Sequence, residues 1–269
     1  MEERGTAGGR LEERQMEKPG LGPEAERILR IEHPDPHSFL GVHPLAGTAE
    51  GCLIRAWEPG AEAAWALLPD GREAALERIH PDGLFEAKGL SARLPQRYRL
   101  RVRYPGGAAV EKWDPYTFLP TLGDFDIYLL GQGNHLELYR HLGAHPRVHQ
   151  DVAGVSFAVW APNALRVSVV GDFNGWDGRR HPMRVMGSSG VWELFLPGVE
   201  AGAAYKFEVK TRQGWLALKA EPYALQTEVR PKSASVVARL DGYEWGDRAW
   251  MEIGRASCRE ECRSRGSPH

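Results

Sequence analysis

Cysteine is scarce. Three in 269 residues are too few for a disulfide framework and suit a reducing cytoplasm. Cys52 lies in a strand-like run and reads as a small core residue, whereas Cys258 and Cys262 fall in an atypical terminal segment. No apolar run approaches the roughly 18 residues that a membrane span needs. The charged, Gly-rich N-terminus holds no apolar stretch of the kind a secretory signal requires. A cytoplasmic chain without a membrane partner is therefore expected. The net charge of −2 supplies no field that would recruit nucleic acid. Catalytic signatures are missing too: no Gly-x-Ser-x-Gly, no phosphate-cradling glycine loop, no His-Glu-x-x-His. No two carboxylates stand out as nucleophile and acid for sugar chemistry, so no catalytic residue is assigned.

What the chain does contain, it contains twice. Leu40-Gly41-Val42-His43-Pro44 returns as Leu142-Gly143-Ala144-His145-Pro146. Arg55-Ala56-Trp57-Glu58-Pro59-Gly60-Ala61 returns as Ala158-Val159-Trp160-Ala161-Pro162-Asn163-Ala164. Tyr98-Arg99-Leu100-Arg101-Val102 returns as Tyr205-Lys206-Phe207-Glu208-Val209, and Trp113-Asp114-Pro115-Tyr116 as Ala220-Glu221-Pro222-Tyr223. The offset, roughly 102 to 107 positions, is too long for a solenoid unit and is the size of an independent domain.

Short strands bounded by turns fill both copies. Cys52–Trp57, Tyr98–Tyr104, Val155–Trp160, Leu165–Gly171, Val191–Leu196, Tyr205–Lys210, Trp215–Lys219 and Ser233–Ala238 all read as strands. Pro69-Asp70-Gly71, Pro81-Asp82-Gly83 and Thr211-Arg212-Gln213-Gly214 read as turns. The expected fold is all-β: two tandem immunoglobulin-like β-sandwich modules joined by a short helical linker. The expected divisions are a disordered leader (1–24), a first module (31–125), a linker (126–151), a second module (152–240), a further linker (241–252) and a tail (253–269). Glu24–Ile31 suits a short leading helix. Tyr128–Leu142 has room for one or two helical turns, with Asn134 as an N-cap.

The most pointed motif is Gly171-Asp172-Phe173-Asn174-Gly175-Trp176-Asp177, a strand end and turn holding an indole at its edge. Lys206 follows on one strand of a hairpin and Trp215 opens the next. If turn and hairpin lie side by side, two indole faces flank one ammonium, an arrangement that suits the apolar face and hydroxyl rim of a sugar ring. The bland alternative is that each indole caps a sandwich edge. Trp160 and Trp192 lie inside strands and read as core. The first copy has Trp65-Ala66-Leu67-Leu68-Pro69-Asp70-Gly71 in place of the motif and Arg99 in place of Lys206, so no equivalent surface is expected there. His33, His37 and His43, and His141, His145 and His149, are interrupted by prolines and joined by no cysteine. They are expected to serve turns, and no metal is assigned.

His33-Pro34-Asp35-Pro36-His37, the repeated Leu-Gly-x-His-Pro, Phe157-Ala158-Val159-Trp160-Ala161-Pro162-Asn163-Ala164 and the Gly171–Asp177 motif resemble the N-terminal half of bacterial glycogen branching enzymes. The second module alone is similar to glycogen-binding modules of a wider set of enzymes. The resemblance implies a parent enzyme that cuts α-1,4-glucan and rejoins it at a 6-hydroxyl, using an Asp nucleophile and a Glu acid/base on a (β/α)₈ barrel without a cofactor. It also implies that Trp176, Lys206 and Trp215 contact α-glucan, such as glycogen or maltooligosaccharide, and that the barrel is the modules' other partner. No barrel follows here, so the chain is expected to be truncated, with an artefactual tail, and inactive alone. Two alternatives remain: a free-standing α-glucan-binding or scaffold protein, and the N-terminal part of another alpha-amylase-superfamily enzyme.

Overall fold

The computed structural model describes residues 21–45, 51–90, 97–240, 245–247 and 251. Nearly all of the expected leader, the whole tail and most of the second linker lie outside the described residues, as do Cys258 and Cys262.

A short helix, α1 (Pro23–Leu29), opens the described chain and buries Ala25 and Ile28. The first module follows with β1 (Gly41–Pro44), β2 (Cys52–Trp57), β3 (Ala63–Leu67), β4 (Glu73–His80), β5 (Leu84–Leu90), β6 (Arg99–Arg103) and β7 (Ala109–Trp113). Its strands pair antiparallel in the order β1-β2-β5-β4-β3-β6-β7. The front of β4 pairs with β3 and its rear with β5, so the sheet folds over on itself. Ile54, Ala56 and Phe85 then face Ala64, Ala66, Leu100 and Val102 across one core. The period of two is plain in β6, where Leu100 and Val102 are buried and Arg99, Arg101 and Arg103, which alternate with them, are not.

The connector contains α2 (Asp124–Gly131), which starts earlier than the expected helical turns. Two aspartates favour its first turn, and the Asp126 carboxylate accepts the Gly123 N–H at 3.1 Å. Asn134 does not cap a helix start; its N–H donates to the Leu129 carbonyl behind the helix. Ile127 and Leu130 pack on the second module beside Leu122, Ala158 and Val191.

That module comprises β8 (Gly143–His149), β9 (Val152–Trp160), β10 (Ala164–Gly171), β11 (Arg184–Val185), β12 (Val191–Pro197), β13 (Ala204–Thr211), β14 (Leu216–Lys219), β15 (Gln226–Thr227) and β16 (Ser235–Val236). Strand β8 falls within the stretch expected to be linker, yet it pairs along its whole length with β9. A sheet ordered β11-β12-β9-β8 faces one ordered β10-β13-β16-β15, with β14 paired to β13. Between them pack Val155, Phe157, Leu194 and Leu196 on one side and Val167, Val169, Tyr205 and Phe207 on the other.

The sequence repeat is a repeat of bonding. Gly41 and Gly143 both have positive φ, and a Cβ there would meet the Tyr116 carbonyl oxygen at 2.8 Å or that of Tyr223 at 3.3 Å. His43 Nε2 lies 2.9 Å from the Leu40 carbonyl oxygen, and His145 Nε2 lies 2.8 Å from that of Leu142. These histidines serve turns, as expected. The Trp57 and Trp160 indole N–H groups donate to the carbonyls of Asp82 and Ser189. The Tyr116 and Tyr223 N–H groups donate to Asp114 and Glu221 side chains two residues back.

The modules share one core. A single buried cluster runs from Ala25, Ile28, Leu40, Trp57, Leu84 and Tyr116 into the second module's interior. The Tyr116 hydroxyl donates to the Pro182 carbonyl at 3.3 Å, and the Val185 N–H donates to that of Pro34 at 2.8 Å. Trp57 is buried within this cluster. Its counterpart Trp160, at the end of the second copy's strand, is 58% exposed, contrary to the expectation of a core residue. Trp192 is 3% exposed and does belong to the core.

Candidate functional site

The Gly171–Asp177 motif leaves β10 as a 3-10 turn over Asp172–Asn174. Asn174, which is buried, builds it. Its Oδ1 accepts the Gly171 N–H at 3.0 Å, and its Nδ2 donates to the Val169 carbonyl and to His181 Nδ1, both at 2.9 Å. Burial, with the charges of Lys112 and Arg180, pushes the His181 pKa down to about 3. The ring is therefore neutral and Nδ1 is free to accept. Gly175 and Trp176 both adopt left-handed backbone, with φ of 66° and 60°. Such a conformation costs a non-glycine residue about 1 kcal/mol. Here the Trp176 N–H is held by the Gly171 carbonyl at 3.0 Å. The indole N–H donates to Asp172 Oδ1 at 2.8 Å, which fixes the ring, and the residue is 38% exposed.

Lys206 sits on β13 opposite Val170, immediately before Gly171. Trp176 and Lys206 therefore share one end of the sheet. The ammonium donates to the Ser233 hydroxyl at 2.9 Å. Ser233 was not among the candidates, because it precedes β16 and its neighbourhood with Lys206 depends on the pairing of β13 with β16.

Trp215 is 75% exposed and immediately precedes β14. The strand runs on past Lys206 to Thr211 before it turns. Thr211 donates its N–H to the Trp215 carbonyl at 2.9 Å and accepts the Trp215 N–H on Oγ1 at 3.2 Å. Five residues of strand separate Lys206 from that tip, roughly 17 Å at strand rise. Thr211 also shares its face with Tyr205, Phe207 and Val209, opposite to that of Lys206, Glu208 and Lys210. This register sets Trp215 at the hairpin tip, at the other end of β13 from Lys206. Trp176, Lys206 and Ser233 form one polar-rimmed aromatic edge, and Trp215 forms a second at the hairpin tip. Leu216 and Leu218 extend this tip as exposed apolar residues.

Among its described residues, the first module shows no such edge. Arg99 pairs with Glu111 at 3.3 Å, and Trp65 lies under the Arg103 guanidinium at 5.6 Å from its ring centre.

Residues 141–224 match the family model of carbohydrate-binding module 48, the isoamylase N-terminal domain. The sandwich bearing Trp176 is thus a module of the carbohydrate-binding class. Residues 23–116 match the N-terminal domain of the alpha-1,4-glucan branching enzyme GlgB. The chain is 48% identical over 237 residues to the 1,4-alpha-glucan branching enzyme GlgB of Myxococcus xanthus, covering 88% of this chain and 32% of the relative. It is 53% identical over 227 residues to that of Rubrobacter xylanophilus, covering 84% and 30%. Together these domains place the chain in the N-terminal region of the 1,4-alpha-glucan branching enzyme family, and it spans about a third of the length of the relatives it matches. Among solved structures it is similar to a pullulanase type I from Bacillus subtilis complexed with maltose, at 16% identity and a TM-score of 0.33, over 73% of this chain and 26% of that one. That likeness is too weak to bear on the site. Among the described residues, no helix is long and apolar enough to cross a membrane.

Proposed function

We propose that these two modules are the non-catalytic, α-glucan-positioning front of a glycogen branching enzyme. The chemistry of α-1,4 cleavage and transfer to a 6-hydroxyl belongs to a barrel beyond them, in the cytoplasm. The observation that carries this reading is the ordered indole edge of Trp176, with Lys206 and Ser233 beside it, on a module of the carbohydrate-binding class. An exposed ring fixed by Asp172 offers a flat apolar face at little entropic cost. The ammonium and hydroxyl next to it supply donors for the rim of a sugar. Trp215 makes a separate contact, so a long glucan gains by engaging both rather than by sitting on one shelf.

Electrophoresis of the chain in native gels containing glycogen tests this. The unaltered chain is expected to be retarded. Trp176→Ala should weaken binding several-fold, within the roughly 1–3 kcal/mol that stacking on an aromatic contributes. Trp215→Ala should weaken it independently, the two losses adding because the sites are far apart. An assay for new α-1,6 linkages should stay blank. Retardation unchanged in both variants would overturn the assignment.

A further inference from the structure

We propose that Asp126, His135 and His141 form a binding site for a divalent transition-metal ion of the zinc type, which fastens the connector to the second module. Among the described residues, one set of three potential ligand groups converges, and it is this one: their ligand atoms all lie within 4.8 Å of one another. Asp126 is on α2, His135 lies in the loop after it, and His141 precedes β8. The sequence could not group them. Its histidine spacing associated His141 with His145 and His149, which the fold sends to carbonyl groups instead.

The geometry admits an ion. His135 Nε2 is 3.1 Å and His141 Nε2 is 3.5 Å from the same oxygen, Asp126 Oδ1. Zinc holds nitrogen and oxygen ligands at roughly 2.0–2.2 Å, which sets tetrahedral neighbours about 3.3 Å apart. The two rings meet edge to face, with centroids 5.1 Å apart and planes at 67°, so their edges converge without stacking. The other carboxylate oxygen is already held by the Gly123 N–H, an outer contact of the kind that orients ligating carboxylates. Two imidazoles and one carboxylate leave a position for water.

The charged groups around the three side chains are mixed in sign. Burial pushes the Asp126 carboxyl up, but the Gly123 N–H and the two imidazoles outweigh it and hold the group below the usual carboxylate range. Burial keeps the His141 ring below the ordinary histidine value, with Asp126 and Glu137 opposing and His135 and Arg147 assisting. Glu137 is itself paired with Arg140 at 3.4 Å, and the Arg147 guanidinium is the cation that weighs against a metal. The Asp126 carboxylate must outweigh it.

The test uses the full chain, untagged, with Cys52→Ser, Cys258→Ser and Cys262→Ser to remove thiol ligands. Equilibrium dialysis against Zn²⁺ should give one ion per chain, and Co²⁺ should give the visible absorption of a four-coordinate complex. His141→Gln, on a partly exposed ring, should weaken Zn²⁺ binding on the order of tenfold or more, as should His135→Asn. Zn²⁺ should raise the melting temperature of the parent but not of His141→Gln, and binding should fade as pH drops below the histidine range. The proposal is overturned by the absence of saturable binding, or by one-to-one binding that both variants retain.

Discussion

Glu193→Ala should cost about 3–5 kcal/mol of stability, the loss typical of breaking one half of a buried ion pair. Glu193 is 0% exposed, in the middle of β12. Its Oε1 accepts from the Arg184 guanidinium, through Nε at 2.9 Å and through Nη2. Its Oε2 accepts from the Thr121 N–H at 2.9 Å, the Thr121 hydroxyl at 2.7 Å and the Leu122 N–H at 3.3 Å. Arg184 Nη1 also donates to the Phe118 carbonyl at 3.3 Å. One carboxylate thus ties the second module to the connector that leaves the first. Alanine strands a buried guanidinium and three donors. Thermal unfolding should show the midpoint falling by on the order of 10 °C, with protease sensitivity rising between Phe118 and Leu142. Glu193→Gln should fall between, since it keeps an acceptor for Thr121 but loses the charge. A loss below about 1 kcal/mol for alanine would mean that the junction is held by its apolar contacts alone.

That junction also marks the limit of what the sequence could show. The period of two identifies β6, and the turn chemistry of Pro81-Asp82-Gly83 and Thr211–Gly214 delimits strands correctly, because both are local. The repeat predicts paired details such as Gly41 with Gly143, because the same turn demands the same backbone. Val191–Leu196 reads as a strand, but its run does not say what roofs its outer face. The roof is Phe118, whose ring lies 5.0 Å from that of Phe195, and it arrives from far along the chain. Trp57 and Trp160 occupy equivalent positions with opposite exposure for the same reason: only one has a module packed over it. Within the candidate edge, Trp176 was legible because Asn174-Gly175 is a turn signal, and Lys206 because of the repeat. The separation of Trp215 was not. It depends on how far β13 runs before turning, and the spacing of polar residues there does not fix that length. Asp126 and His135 escaped notice because their meeting depends on where α2 ends.

Glu221→Gln should stabilise the protein at pH 8 but not at pH 4. Glu221 is the second copy's counterpart of Asp114, and both carboxyls are buried. Desolvation is the leading cause in each case, raising Asp114 to about 6 and Glu221 to about 7. Asp114 is compensated by the Tyr98 hydroxyl, which donates to its Oδ2. Glu221 has less help: Oε1 accepts the Tyr223 N–H at 2.9 Å, and Oε2 has no partner. The folded state therefore keeps the Glu221 proton up to about pH 7, while the unfolded chain releases it near 4.5. Over that interval the folded state binds more protons, so stability falls as pH rises from about 4.5 to 7 and stays low above it. His181 works in the opposite direction. Its folded pKa of about 3 against an ordinary 6.5 removes stability as pH falls through that window. A single pH profile mixes these two with Asp114, but the difference between Glu221→Gln and the unaltered chain isolates Glu221. Glutamine supplies an acceptor for Tyr223 and a neutral donor where Oε2 stands. The gain at pH 8 should exceed that at pH 4 by about 2–3 kcal/mol, from roughly 1.4 kcal/mol for each pH unit of displacement. Urea unfolding at the two pH values would measure it, and a difference indifferent to pH would show that Glu221 ionises in the folded protein as freely as in the unfolded chain.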